Sequence, residues 1–326
     1  MQVHRDIDHL PAFEKSVLTI GTFDGVHLGH RQILDQLKTE ANRIYGETVI
    51  ITFHPHPRKV VNSSKPPIQL LNTIEEKIEL LEALDIDHLV VVPFDERFSQ
   101  ISAQDYVEQF LIKKFHPHTV IIGYDHRFGK NRTGNYLMLE EYSSKLKFHL
   151  IEISPHVIEE NAVSSTRIRQ SLLQGDITAA NSLLGYDYFF EGKVVEGNKL
   201  GRTLGYPTAN VEIEDKEKLI PANGIYVVEA QVVSDKNSSL TTHRSPLTTR
   251  FQGMMSIGIR PTLADGRFMI EVNIFNFNED IYGKTLRVFV KKYLRPEVKF
   301  EGLEALKNQI AKDKQDALQY FHTNLH

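Results

Sequence analysis

Two histidines three residues apart, His27 and His30, sit in GTFDGVHLGH, between the apolar run Val17 to Ile20 and a segment of helical periodicity. At the start of a helix the first backbone N–H groups have no intrahelical partner, and residues at i and i+3 share a face. Such a place suits an anion, because free donors and the positive helix end both favour phosphate. Gly29, between the histidines, lets a bulky ligand approach the backbone closely. A metal pair is the competing chemistry, since His54 and His56 of FHPHPR add two imidazoles near a strand end. HxxH, however, lacks the glutamate and the i, i+4 spacing of a metalloprotease helix. The plainest alternative is a Phe23-Asp24-Gly25 turn flanked by surface histidines.

Other loops carry polar groups of the same kind. GYDHRFGKNRTG, Gly123 to Gly134, follows the strand-like TVII but departs from a phosphate loop: Lys130 is followed by Asn131, not Ser or Thr. In VSSTRIRQSLL, Ser165 or Thr166 can cap a helix whose first turn carries Arg167 and Arg169. That is a phosphate clamp in one reading and simply a stable helix in the other. GRTLGYPTAN, Gly201 to Asn210, reads by itself as a turn leading into a strand. Glu271 lies between Ile270 and Val272, as an outward residue of an alternating strand would.

The first half of the chain must supply the elements that hold the histidine loop. Val17 to Ile20, Thr48 to Phe53, His88 to Val92, Thr119 to Ile122 and Phe148 to Ile153 have strand character. Between them, Arg31 to Tyr45, Ile74 to Leu84 and Ser102 to Phe115 have helical spacing, and Thr73 with Glu76 has that of a capping box. Strands alternating with helices predict a parallel sheet covered on both faces, with ligands beyond the carboxyl ends of the strands. Two short helical patterns then run from Arg167 to Leu184, and the period changes near Gly185. Tyr188 to Val195, Gly224 to Val233, Met254 to Ile259, Phe268 to Phe277 and Thr285 to Tyr293 are strand-like without intervening helices, which predicts an antiparallel barrel or sandwich. Ser234 to Arg250 reads as a long exposed hairpin tip. Leu303 to Phe321 closes the chain as a helix, with Leu303, Leu306, Ile310 and Leu318 as its apolar positions.

Bulk properties limit the function classes. At 326 residues the chain is long for one core, and two domains are expected, 1–186 and 187–326. The net charge of -4 gives no general basic footprint for nucleic acid, so an anionic ligand must be held locally. With no cysteine, disulfides, thiolate metal sites and cysteine nucleophiles are excluded. No stretch has the apolar length of a signal peptide or membrane span, and a cytosolic protein is expected.

GTFDGVHLGH and SSTRIR together resemble the nucleotidyltransferase superfamily with the HxGH signature. With TFHPHPR, LLNTIEEKIELLEALDID, PFDERFSQISAQDYVEQFL and GYDHRFGKNRTGN, the first half is more closely similar to the adenylyltransferase module of bacterial bifunctional riboflavin kinase/FMN adenylyltransferases, or FAD synthetases. GRTLGYPTAN, GMMSIGIRPT and EVNIFNFNEDIYGKTLRVFVKKYLRPEVKFEGLEALKNQI, in that order, resemble the family's kinase module.

The resemblance implies an α/β fold: a Rossmann-like parallel-sheet nucleotidyltransferase domain, then a six-stranded antiparallel β-barrel riboflavin kinase domain with a C-terminal helix. It implies two ATP-dependent reactions, riboflavin to FMN in the barrel and FMN to FAD in the sheet domain, with Mg²⁺ as cofactor. His27 and His30 are then the triphosphate-holding catalytic histidines. Gly21, Phe23, Gly29, Ser165, Thr166 and Arg169 are the other ATP-binding residues of that domain, and Asp125 is flavin-binding. In the kinase, Gly205 and Pro207 bind ATP, Thr208 and Asn210 hold Mg²⁺, Glu271 is the base and Arg295 faces the flavin. Asn273 stands where the family often has His. The partners implied are small-molecule substrates, without nucleic acid or membrane; the oligomeric state is not read from the sequence, and a monomer is the default. A metal-dependent hydrolase and a non-catalytic flavin- or nucleotide-binding protein remain the alternatives.

Overall fold

The strand-like runs of the first half all become strands. They are Val17–Ile20 (β2), Thr48–His54 (β3), His88–Pro93 (β4), Thr119–Gly123 (β5) and His149–Ile153 (β6), joined by a short edge strand, Gln2–His4 (β1), that composition does not announce. This computed structural model describes residues 1–61, 68–153, 163–197, 200–233, 249–259 and 268–324. All six strands are parallel, in the order β1-β4-β3-β2-β5-β6. Successive residues serve opposite faces: Leu18, Val49, Ile51, Val90 and Val120 enter one apolar cluster, while Val17, Ile50, Leu89, Val91 and Ile121 enter the other.

Helices cover these faces where the spacing predicts them. Helix α1, Leu28–Ile44, buries Leu34, Leu37 and Ala41. Helix α2, Ile74–Glu82, opens with both halves of a capping box: Glu76 N–H donates to Thr73 Oγ1 at 3.2 Å, and Thr73 N–H to Glu76 Oε2 at 2.9 Å. The segment 103–115 is helical after its Ser102 cap, but Tyr106–Ile112 widens into a π-helix that buries Tyr106, Val107, Phe110 and Leu111. Helix α3, Tyr136–Leu146, was not expected; it buries only Leu139 and leaves Leu137 exposed, so it carries little periodic signal.

The chain moves outward from β2 through β3 to β4, then crosses to the other side of β2 for β5 and β6. The crevice beyond the carboxyl ends of β2 and β5 is therefore the topological switch point, where such sheets bind ligands.

In the second half, Phe189–Val195 (β7), Ala209–Glu212 (β8), Gly224–Val233 (β9), Phe251–Ile259 (β10), Phe268–Ile274 (β11) and Thr285–Arg295 (β12) close into an antiparallel barrel ordered β10-β11-β8-β7-β12-β9. Strand β8 is the strand into which the Gly201–Asn210 turn leads, and it is only four residues long. Strands β9 and β10 pair directly, while residues 234–248 of the expected hairpin tip lie outside the described residues.

The two compact units are Met1–Ser165 and Thr166–His326, a division earlier than the change of period near Gly185. Helices Ser165–Leu173 (α4) and Ile177–Leu184 (α5) are bonded to the barrel: Ala222 N–H donates to Leu172 O at 3.1 Å, and Asn181 Nδ2 to Val290 O at 2.9 Å.

The closing helix α6, Leu303–Thr323, meets the expectation in part: Ile310 packs against the cluster that holds Ala317 and Phe321. Leu303 and Leu318 are exposed, and Asp313, Ala317 and Phe321 are buried. The inward acidic position is paired: Arg295 Nε and Nη2 donate to Asp313 Oδ1 and Oδ2 at 2.8 and 2.6 Å. Arg295→Met leaves that buried carboxylate without its cation. It should destabilise the barrel unit by about 3 kcal/mol, read as a lower urea midpoint; an unchanged midpoint would refute this account.

A second expectation concerns acid. His4 Nε2 and His88 Nδ1 lie 3.1 Å apart, and burial, then His88, holds the His4 pKa below its usual value. Burial, then His149, does the same for His118. For a base with a depressed folded pKa, the unfolded chain takes up the proton first as pH falls below about 6.5. The stabilisation is thus present above that pH and lost below it. The urea midpoint of the sheet unit should fall between pH 7 and pH 5, and fall less in a His4→Gln/His118→Gln variant; an equal fall would contradict the assignment.

Two candidate active sites

At the switch point of the sheet unit, the chain leaves β2 and reaches α1 within seven residues, 21–27. It does so by taking Phe23, Gly25 and Val26 through positive φ, at 47°, 91° and 38°. Glycine adopts this freely, whereas a β-branched valine there is strained, a condition characteristic of functional turns. His27 then caps α1: its Nδ1 accepts from His30 N–H at 3.3 Å, which fixes the ring. The His27 and His30 rings stack 3.6 Å apart at 12°, with the Phe23 ring 5.1 Å from His30. A side-chain carbon at Gly29 would come within 3.3 Å of the His27 ring, so glycine there protects the stack itself.

Nδ1 of His30 is buried and has no hydrogen-bond partner among the described residues. Burial, then His27 and Lys77, holds its pKa well below the usual value. A neutral imidazole keeps one donor and one acceptor, and a shielded site strengthens whatever bond they make.

Asp24 and Lys77 were missed by sequence reading. The buried Asp24 carboxylate accepts from Leu71 N–H at 3.0 Å and Asn72 N–H at 3.4 Å, so it is more than a turn residue. Lys77 Nζ donates to Thr22 O at 2.7 Å, and burial pushes its pKa down to about 8, opposed by Asp24. A signal was available for Lys77: it follows Ile74 by three and precedes Leu81 by four, on the apolar face of α2.

Ser165 joins the same site. It is the first residue of α4 rather than its cap, and its hydroxyl donates to Asp24 O at 2.9 Å. Thr166 and Arg169 continue that helix. Asp125 is exposed on the loop after β5, which Phe128 and Gly134 close by exchanging backbone hydrogen bonds of 3.2 and 2.9 Å. In this loop burial pushes His126 down to about 4, and its Nε2 is a second buried nitrogen with no partner among the described residues. His56 Nδ1 accepts from Arg58 N–H at 3.2 Å. Among the described residues no three His, Cys, Asp or Glu side chains gather as a metal site, so His54 and His56 do not complete a set with His27 and His30.

In the barrel unit, Gly205 at φ 86° completes a turn in which Tyr206 N–H donates to Gly201 O at 2.8 Å. Pro207 and Thr208 follow and, with Arg202, Val272 and Ile281, line a cavity of about 260 Å³. The register of β8 sets Asn210 directly opposite Glu271 of β11. Residues opposite one another in an antiparallel pair share a face, so these two polar groups project together. A side-chain carbon at Gly197 would lie 2.1 Å from the Asn210 amide nitrogen, so this glycine leaves the space Asn210 occupies. Asn273, two residues after Glu271, donates from Nδ2 to Pro207 O at 2.6 Å and so ties β11 to the turn. Arg295 is the outlier, with its fork engaged by Asp313 and Nη1 donating to Pro296 O at 2.9 Å.

Comparison with known proteins bears on both units. The FAD synthetase family model matches residues 10–167, and the riboflavin kinase model matches 184–321. The chain is 36% identical over 311 residues to the bifunctional riboflavin kinase/FMN adenylyltransferase of Bacillus subtilis, covering 94% of this chain and 93% of that one. To the Escherichia coli K12 protein of the same name it is 34% identical over 308 residues, covering 94% and 93%. It also resembles a crystal structure of a macrolide-efflux protein from Streptococcus pneumoniae, with a TM-score of 0.82 and 28% identity over 96% of this chain and 97% of that one. No described helix here is long and apolar enough to cross a membrane. Matched in both halves and along nearly its whole length, the chain belongs to the bifunctional riboflavin kinase/FMN adenylyltransferase family.

Proposed function

We propose that this chain makes both flavin cofactors from ATP, forming FMN from riboflavin with segment 187–326 and FAD from FMN with segment 1–186. The observation that carries this reading is the pairing of Asn210 with Glu271 in one unit and of His27 with His30 in the other. Those residues fall within the two matched families.

For the kinase step the acceptor is the ribityl 5′-hydroxyl, a poor nucleophile until a base removes its proton. Glu271 takes that proton as the oxygen attacks the γ-phosphorus of ATP, and ADP leaves. Gly205 and Pro207 hold the phosphates from the turn beside the cavity. Mg²⁺ suits this unit because Thr208 and Asn210 offer neutral oxygen donors, the ligand chemistry of a hard cation. When bound, it would neutralise phosphate charge. Arg295 faces the flavin only from a position its pair with Asp313 fixes.

For adenylyl transfer the FMN phosphate is already ionised, so positioning and charge stabilisation carry most of the rate. An FMN phosphate oxygen attacks the α-phosphorus of ATP and pyrophosphate leaves. His27 and His30 align the triphosphate, supported by Gly21, Phe23, Gly29, Ser165, Thr166 and Arg169, and Asp125 lies beside the flavin. The protein acts in the cytosol on small-molecule substrates.

The test is incubation of the protein with riboflavin, ATP and Mg²⁺ and chromatographic separation of the flavins; absence of both FMN and FAD sinks the reading. Glu271→Gln should lower FMN formation by 10² or more, as loss of a general base does, while FAD still forms from added FMN. His30→Ala should stop the sequence at FMN, with FAD formation down roughly 10² to 10³. Loss of both activities in either folded variant would contradict the division of labour.

A further inference from the structure

A lysine placed on the buried face of a helix is unfavourable unless its charge is used. Lys77 is 6% exposed near the start of α2, and its Nζ donates to Thr22 O at 2.7 Å. That carbonyl already has a neutral donor, Thr52 Oγ1 at 3.2 Å, so satisfying it does not require an ammonium. Two residues on, Asp24 Oδ1 accepts from Leu71 and Asn72. Residues 22 and 24 are thus each tied to segment 71–77, one on either side of Phe23, which is held at φ 47° with its ring against His30. The segment is itself anchored by the Thr73–Glu76 capping box. Loop, clamp and stacked histidines form one continuous set of contacts.

We propose that Lys77 is a positioning residue for adenylyl transfer, clamping the 21–27 loop to α2 and setting a positive charge near His30. The proposal rests on the assignment of those histidines to the ATP phosphates. The charged and titratable groups facing Lys77 are the Asp24 carboxylate from the loop and His30 from α1, while Glu76 of its own helix is engaged in the capping box. The ammonium acts through its neighbours. It pulls the Thr22 carbonyl into place, balances Asp24, and disfavours a proton on His30, so that imidazole meets the triphosphate aligned and neutral.

The experiment uses the full chain, so FMN formation in the barrel unit serves as an internal control. Lys77→Met should lower kcat for FAD formation at least ten-fold with FMN formation within two-fold of wild type, and Lys77→Arg, which keeps the cation, should recover part of the loss. The His30 ring, followed by NMR, should titrate at higher pH in Lys77→Met. FAD formation within two-fold of wild type, or an unmoved His30 titration, overturns the proposal. Should methionine at 77 unfold the loop, Lys77→Gln decides, since it keeps a donor for Thr22 O without the charge: an unmoved His30 titration in that variant overturns the proposal equally. A wild-type chain that makes FMN but no FAD would instead overturn the assignment of the histidines.

Discussion

The turn that carries the chain from β2 into α1 constrains everything around it. Three of its residues have left-handed backbone, and two of them, Phe23 and Val26, are not glycine. Strain of this kind costs on the order of 1–3 kcal/mol per residue, so something must hold it. Phe23 and Val26 are buried in the apolar cluster with Leu34, Leu37, Ile50 and Leu89. Each large apolar side chain so buried is worth about 1.5–3 kcal/mol, which matches the strain. The turn thus persists because the core of one sheet face grips it, and the histidine stack inherits its geometry from that grip.

In the barrel the corresponding constraint is register. Asn210 faces Glu271 because β8 and β11 pair in one alignment, with Val211 opposite Ile270 and Ala209 opposite Val272. A slip of β8 by one residue would send Asn210 to the core face and Val211 outward. The burial of Val211, Ile270 and Val272 forbids it. The same hydrophobic alternation that closes the barrel therefore brings the candidate base beside a candidate metal ligand.

Charge follows a related logic. Several cations that a reader of the sequence would offer to a phosphate are engaged within the protein: Arg295 by Asp313, Arg287 by Glu191, and Lys291 by Asp187 and Glu229 at 2.8 and 3.0 Å. With the net charge slightly negative, anion binding falls to local groups: helix starts, backbone turns, imidazoles and the cations not engaged in such pairs.

The sequence by itself determined the architecture and the class of chemistry. Strands β2 to β6, helices α1 and α2, the capping box and the barrel strands, β8 through the turn that leads into it, are legible because apolar periodicity, turns and local caps are short-range properties. GTFDGVHLGH could be read as a phosphate site because a strand handing over to a helix leaves unpaired donors whatever surrounds it. The tertiary structure alone decided what depends on contacts between distant residues. It tied Thr22 to Lys77 and Asp24 to Leu71 and Asn72, opposed Asn210 to Glu271, paired Arg295 with Asp313 and left Leu303 and Leu318 exposed. A side chain's type sets what it can bond, but its partner is chosen by which residues the folded backbone brings within about 3 Å.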